Sequence, residues 1–358
     1  IAAARRGHRV VVASGPAVAV TPLFQAAGKE PGLRFALIAT LRREVNPLDD
    51  LRSLRALLRL LRATRFDIIH THTSKAGALG RIAAALAGRR TALLHQPHGH
   101  LFYGYYGRFG TAALLLAERL LAPLSRIIVT LSWRGAEEHL SRGVGRPDQF
   151  RVIRSGIDLR PLRLARTARP GCRARLGLAP EEIVVGCLAR LEPIKGVDEL
   201  LEGFLIAARN RPRLRLFLGG DGPMRDRLTE RAAASGLGDR VTVTSRWVVP
   251  EEVLPAFDCF VLASRNEGMG RALVEAMAAG LPVIASAVGG VPEVLEEGRD
   301  GLLIPPGDAE AVALAIARLA DDPALRLEMG RRARRRALVF GAGRMGRALL
   351  RLYREVAP

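Results

Sequence analysis

The sequence predicts an α/β protein made of two Rossmann-like parallel-sheet domains facing a cleft, and three observations lead there. Short β-branched runs alternate with longer leucine- and arginine-rich segments of helical period along the whole chain, the pattern of parallel strands joined by covering helices. A length of 358 residues exceeds what one hydrophobic core organises, and an apolar content of 49% is enough for two. Periodicity lapses in "GIDLRPLRLARTARPGCRARLGLAPEE", residues 156–182, where proline, glycine and arginine accumulate before a new strand. The expected organisation is therefore an N-terminal domain over 1–160, a C-terminal domain over 161–338, and a last helix over 339–358 that packs back on the first domain.

The opening "IAAARRGHRVVVAS" has no initiator methionine and reads as the tail of a helix, a stop at Gly7, then a strand. A first strand, its loop and most of a helix are expected upstream of Ile1. The strands of the first half are "HRVVVA", "FDIIHTH", "TALLHQ", "RIIVTL" and "FRVI". Those of the second are "EIVVGCLA", "LRLFLGG", "RVTVTS", "DCFVLAS", "LPVIAS" and "GLLI". From Asp322 onward the pattern is helical and basic. "GAGRMG" (Gly341–Gly346) matches the dinucleotide fingerprint letter for letter, but the 12 residues after Gly346 leave no room for the strand and ribose-binding acid that it needs. A loop or helix entry is expected there.

The formal charge of +20 would suit nucleic acid, yet only Lys29, Lys75 and Lys195 are lysines, so the total reflects an arginine-rich composition. Its distribution says more. Residues 1–160 carry 25 basic and 10 acidic side chains, whereas the remainder carries 30 and 25. The electropositive half would attract an anionic membrane surface or a phosphate-bearing acceptor, unless it is simply a solvated arginine-rich face. Aromatics at 5% provide no base-stacking platform, and no nucleic-acid partner is expected. Cys172, Cys187 and Cys259 fit no metal-ligand spacing and no disulfide framework, which suits a reducing cytoplasm. No secretory signal pattern is present, and the longest apolar candidate, "TAALLLAERLLAPL", is interrupted by Glu118 and Arg119. A cytoplasmic protein is expected, with contact at the inner membrane face through the basic domain.

Candidate chemistry concentrates in "SRNEGMGRALVEAMAAGLPVIAS", residues 264–286. Glu267 lies in a loop after a strand, Gly268 and Gly270 permit close backbone approach, and a helix follows, with Glu275 placed about two turns along. Two carboxylates so spaced can bracket a polyhydroxylated ligand, since carboxylates accept from vicinal hydroxyls. The alternative is a loop acid plus an ordinary exposed helix glutamate. In "GCLARLEPIKG", Arg190 and Lys195 stand at a strand's carboxyl edge and could neutralise a diphosphate. Their alternative is a surface pair with Glu192. "LFLGGDGPM" supplies either a nucleoside contact or a tight turn.

Five of the seven histidines fall in "HTH" and "HQPHGH" (His70, His72, His95, His98, His100). No adjoining carboxylate or cysteine completes a zinc pattern, so structural hydrogen bonding or contact with a sugar is expected. His98 is singled out because Gly99 lets the backbone bend toward a ligand. "LFYGYYGRFGTAALLLAERLLAPL", residues 101–124, either lies at a lipid interface or packs on its own domain.

Taken together, "FDIIHTHTSKAGALGR", "PHGH", "VIRSGID", "ARLEPIKG", "GGDGP" and "SRNEGMGRALVEAMAAGLPVIASAVGGVPEVL" resemble the retaining glycosyltransferases of the GT-B fold, family 4 (glycosyl transferases group 1), over nearly the whole chain. The "HTHTSKAG" and "PHGH" pair is similar to enzymes that build bacterial polysaccharides or lipid-linked saccharides. The resemblance implies transfer of a hexosyl or N-acetylhexosaminyl group from a UDP- or GDP-sugar to a lipid-linked or saccharide acceptor, with no cofactor and no obligatory metal. It implies that Glu267 and the backbone of Gly268, Met269 and Gly270 hold the donor hexose, and that Glu275 holds the ribose. It implies that Arg190 and Lys195 hold the pyrophosphate, and that His98 faces the reacting sugar. The family's glycine-rich loop after the first strand is not in this sequence, and the chain as given is expected to be unstable or inactive without an upstream extension. A nucleotide-sugar isomerase of similar architecture is the rival reading.

Overall fold

The structure is a computed structural model and describes residues 1–16, 29–42, 44–88, 91–98, 107–164, 168–246 and 248–357. Gly99, His100 and the aromatic stretch 101–106 lie outside the described residues. Contacts divide the chain into two units, one holding the described residues up to Ile153 together with Met345 onward, the other Arg154–Arg344.

In the first unit β1 (Val10–Ser14) pairs in parallel with β2 (Leu33–Leu37), with Val10 opposite Leu33 and Ser14 opposite Leu37. The sequence reading did not anticipate β2. "LRFAL" has no β-branched residue, and only its pairing with β1 makes it a strand. Helix α1 (Pro47–Ala63) starts where Asn46 accepts from the Leu48 and Asp49 N–H groups and Pro47 takes the first turn. A second parallel sheet follows in the order β3-β4-β5-β6, from β3 (Ile68–His72), β4 (Ala92–Gln96), β5 (Ile127–Thr130) and β6 (Phe150–Val152). The connections are α2 (Ser74–Ala87), α3 (Arg108–Leu121) and α4 (Trp133–Ser141).

One face of this second sheet packs Ala92, Leu94, Ile127, Val129 and Ile153 against Leu352 and Val356 of the chain's last helix. The other packs Ile128 and Phe150 against Ala122 and Ala136. Alternate residues of one strand thus face opposite layers, as the pleat requires.

The second unit opens with α5 (Arg160–Leu164) and α6 (Arg169–Arg175). Its sheet uses β7 (Ile183–Leu188), β8 (Leu214–Gly219), β9 (Val241–Val243), β10 (Cys259–Leu262), β11 (Val283–Ser286) and β12 (Gly301–Ile304). The helices are α7 (Val197–Ala208), α8 (Arg225–Ala234), α9 (Pro250–Val253), α10 (Arg271–Ala279), α11 (Val291–Val294), α12 (Ala309–Asp321) and α13 (Pro323–Ala337). Strand order is β12-β11-β10-β7-β8-β9, all parallel. The chain therefore builds outward from β7 to one side, then returns to β10 and builds to the other. Such a reversal leaves a crevice between the loops that follow the two central strands.

Val185, Leu201, Phe204, Leu214, Val261 and Ile284 are fully buried in the core of this unit. Each such side chain stabilises the fold by about 1.5–3 kcal/mol through removal from water.

The border between units falls at Ile153, ahead of residue 160. Its cause is local: Ile157 donates to the Phe340 carbonyl at 2.9 Å and accepts from Ala342 at 2.9 Å, which ties 154–160 to the second unit. Helix α14 (Ala342–Val356) begins inside "GAGRMG", so that motif is a helix entry, and from Met345 it belongs to the first unit. Among the described residues no helix is long and apolar enough to cross a membrane.

Candidate active site

The strand reversal in the second unit places the loop after β7 beside the loop after β10. The β7 loop leaves Leu188, turns through Pro193–Lys195 as a single 3₁₀ turn, and enters α7 at Gly196. Gly196 has φ of 61°, and a Cβ there would lie 1.9 Å from the Ala263 carbonyl oxygen, so only glycine lets the two loops meet. Arg265 N–H donates to the Ile194 carbonyl at 2.9 Å and locks the approach.

The neighbouring β8 loop is fastened to the same turn, with Leu191 N–H donating to Asp221 at 2.9 Å and Met224 N–H to Leu191 at 3.0 Å. Gly220 packs so closely that a Cβ would come within 1.8 Å of the Ala189 carbonyl oxygen. The glycines of "GGDG" therefore serve loop-to-loop packing.

On this platform Lys195 Nζ donates to Glu267 Oε1 at 2.6 Å. The pair straddles the strand reversal, one member after β7 and the other after β10. Their side chains are only 16% and 12% exposed, so the attraction is little screened. Ser264, fully buried at the end of β10, donates its hydroxyl to the same Oε1 at 2.9 Å. The sequence reading missed this serine. The spacing S-x-x-E was its only available signal, and the first-turn meaning of that spacing does not apply in a loop.

Gly290 N–H reaches the Glu267 carbonyl at 3.3 Å and brings in the loop after β11. Gly268 is half-buried, Met269 and Gly270 are buried, and α10 starts at Arg271 with no side chain capping it. Its first-turn N–H groups remain available to an anionic or oxygen-rich ligand.

Two predicted residues behave differently. Arg190 forms an ion pair with Glu192 in its own loop, the alternative that the sequence left open. Glu275 sits on the fifth residue of α10, little more than one turn along where two were expected, because at 3.6 residues per turn four positions from Arg271 make barely more than one turn. It accepts from Arg271 Nε at 2.8 Å, and burial raises its pKa, a shift that Arg271 opposes and Glu251 reinforces. The structure thus joins Lys195 to Glu267 directly, and gives Arg190 a partner in its own loop and Glu275 one on its own helix.

Cys187 lies in the field of the pair. Burial pushes its thiol up to about 12, with Glu267 adding to the shift and Lys195 opposing it, which leaves an inert packing residue.

In the first unit His98 has φ of 63° and one of its imidazole nitrogens shares a hydrogen bond with His72 at 2.8 Å. His70 packs on His72 with ring centroids 4.3 Å apart and bonds the Tyr353 hydroxyl at 2.9 Å. His95 is buried and bonded to Thr71 at 2.9 Å. A polar cavity of about 240 Å³ after β2 is lined by Thr40, Arg42, Glu44, Asn46 and Asp49. Among the described residues no group of three or more His, Cys, Asp and Glu is placed to hold a metal ion.

Two parallel-sheet units, one with glycine-fastened loops and a cation–carboxylate pair at its strand reversal, define a glycosyltransferase fold of the GT-B type. Residues 169–336 match the family described as Glycosyl transferases group 1, and residues 2–160 the one described as Glycosyltransferase Family 4. The chain belongs to this family of glycosyltransferases.

A D-inositol 3-phosphate glycosyltransferase from Streptomyces avermitilis is 32% identical over 77% of this chain, which spans 62% of that relative's length. A UDP-Gal:α-D-GlcNAc-diphosphoundecaprenol α-1,3-galactosyltransferase from Escherichia coli is 30% identical, over 83% of this chain and 78% of its own. Among solved structures, sucrose-phosphate synthase from Thermosynechococcus elongatus superposes with a TM-score of 0.82 at 26% identity, covering 99% of this chain and 90% of that one. Anabaena HepE in complex with UDP and glucose gives 0.82 at 22% identity, covering 98% and 93%, and shows the fold alone.

Proposed function

We propose that this chain transfers a hexosyl or N-acetylhexosaminyl group, with retention, from a UDP- or GDP-sugar to a lipid-linked or saccharide acceptor in cell-surface polysaccharide or glycoconjugate synthesis. The observation that carries the proposal is the Lys195–Glu267 pair at 2.6 Å, at the strand reversal and next to the uncapped start of α10. The E. coli relative, named for a UDP-galactose donor and a diphosphoundecaprenol acceptor, supports the donor and acceptor classes.

In the free protein each member of the pair neutralises the other. A donor diphosphate draws the Lys195 ammonium and, with the opening of its Glu192 pair, the Arg190 guanidinium. Glu267 then accepts from sugar hydroxyls, while the backbone of Gly268, Met269 and Gly270 approaches the hexose. Glu275, one turn into α10, accepts from the ribose.

The C1–O bond to the diphosphate breaks as the acceptor oxygen bonds to C1 on the same face. The acceptor's proton passes to the departing phosphate oxygen. Once the bound donor has drawn them onto its phosphates, these cations stand where negative charge accumulates as the bond breaks and so lower the barrier. No resident cofactor or metal is required, so turnover persists in the presence of a chelator.

The test is nucleotide release, with a panel of UDP- and GDP-sugars screened by thermal shift to find the donor. Nucleoside diphosphate appears only when donor and acceptor are both present, apart from slow hydrolysis. Interconversion of UDP-sugars without acceptor would reassign the chain as an isomerase. Loss of activity on chelation, restored by a divalent cation, would overturn the metal-independent mechanism.

A further inference from the structure

Helix α3 turns an apolar side outward. Phe109, Leu116 and Leu120 are 84%, 55% and 68% exposed, and Leu124 in the turn that follows is 38% exposed. Spacings of seven and four residues set the three helical positions in one row along a helix about 21 Å long. The opposite side is already used. Leu115 packs on the cluster around Ile128, and Glu118 is buried with both carboxylate oxygens 2.9 Å from Arg81 Nη2.

Charge on the outward side has one sign. Arg108 and Arg119 are exposed, and the helix's single acid is the inward Glu118. On the next helix Trp133 is 60% exposed at the first position, Glu138 is paired with Arg142, and Glu137 is the remaining exposed acid. Residues 1–160 carry 25 basic and 10 acidic side chains.

We infer that the outer face of α3 docks this protein on a membrane surface rich in anionic lipid, with Phe109, Leu116 and Leu120 entering the boundary between headgroups and acyl chains. A one-helix apolar row flanked by arginines has the form of an interfacial helix lying in the plane of the bilayer. Each arginine near an anionic leaflet adds to the attraction. A second copy of the chain fits less well. A two-fold contact across this face would bring the arginines of one copy up to those of the other, and one row of side chains falls well below the ~800 Å² per partner of a standard interface. The inference does not depend on the sugar-transfer reading, because vesicle binding needs no nucleotide-sugar.

The experiment is co-sedimentation of the full chain with vesicles of phosphatidylcholine alone and of phosphatidylcholine mixed with phosphatidylglycerol. Binding to the mixed vesicles is expected, and the triple variant F109E/L116E/L120E lowers the bound fraction by about tenfold or more. Leu314→Glu, on α12 in the other unit and 73% exposed, leaves it unchanged. Thermal melts confirm that both variants fold, as substitutions at these exposed positions predict. Equal binding by the triple variant would overturn the inference and move the contact to arginines elsewhere. Absence of binding to either vesicle would also overturn it. Self-association in solution that the triple variant abolishes, with no vesicle binding, would assign the face to a second copy.

Discussion

Glu267 has one oxygen already engaged, since Oε1 takes both Lys195 and Ser264. Among the described residues Oε2 takes no hydrogen bond and is the atom left to meet a ligand. Ser264 therefore fixes which carboxylate oxygen faces outward, and Ser264→Ala should reduce kcat/KM by about tenfold while Glu267→Gln reduces it by about 10²–10³. Equal losses in the two variants would show that the serine does more than orient. Lys195→Ala has a second signature. It strands a largely buried carboxylate and should lower stability by ~1–3 kcal/mol in chemical denaturation, where an exposed arginine such as Arg160 would cost almost nothing. The sequence could name Glu267 and Lys195 as separate ligand groups because each follows a strand. It could not show that they hold one another, since 72 residues separate them and only the strand order brings them together.

At the scale of elements the same strand order decides what was legible. The strands of the second unit are runs such as "IVVGCL" and "VIAS", buried on both faces, and their hydrophobicity betrays them without structural help. Strand β2 lacks that signature, and its half-buried edge position tolerates Arg34. The sequence places a helix straight after Gly270, and it starts there, at Arg271, behind a residue at φ of 75°. Only the count of turns to Glu275 was too high, since a residue four positions on lies little more than one turn along. The β7 and β10 loops meet most closely at Gly196, and Gly196→Ala tests that contact. The added Cβ would strike the Ala263 carbonyl oxygen, so the variant should lose at least ~1–3 kcal/mol and bind donor more weakly than Lys195→Ala alone predicts. Unchanged melting would mean that the two loops separate without cost.

For the molecule as a whole, acidity is the sharpest lever. Burial holds the imidazoles of His70, His72 and His95 neutral, down to about 3, 4 and 2 against an ordinary 6.5. The unfolded chain takes up these protons near 6.5 and the folded chain does not. Stability is therefore full above that pH and is lost as pH falls toward 4, by up to about 4 kcal/mol per pH unit for three sites. Hydrogen exchange at about pH 7.5 and about pH 5.5 should show β3 and β4 losing protection at the lower value while the six-stranded sheet keeps its own. Equal protection in both would refute the assignment. The histidine density was plain in the sequence, but whether it meant metal, ligand or burial waited on the rings' surroundings. The split of the first unit into a two-stranded and a four-stranded sheet bears on handling at the bench. Among the described residues β1 and β3 each have a strand on one side only, so each offers a ladder of main-chain groups to any extended segment of another molecule. Concentrated stocks should grow turbid before dilute ones lose activity, and a proline on the open side of β3 should delay the cloudiness.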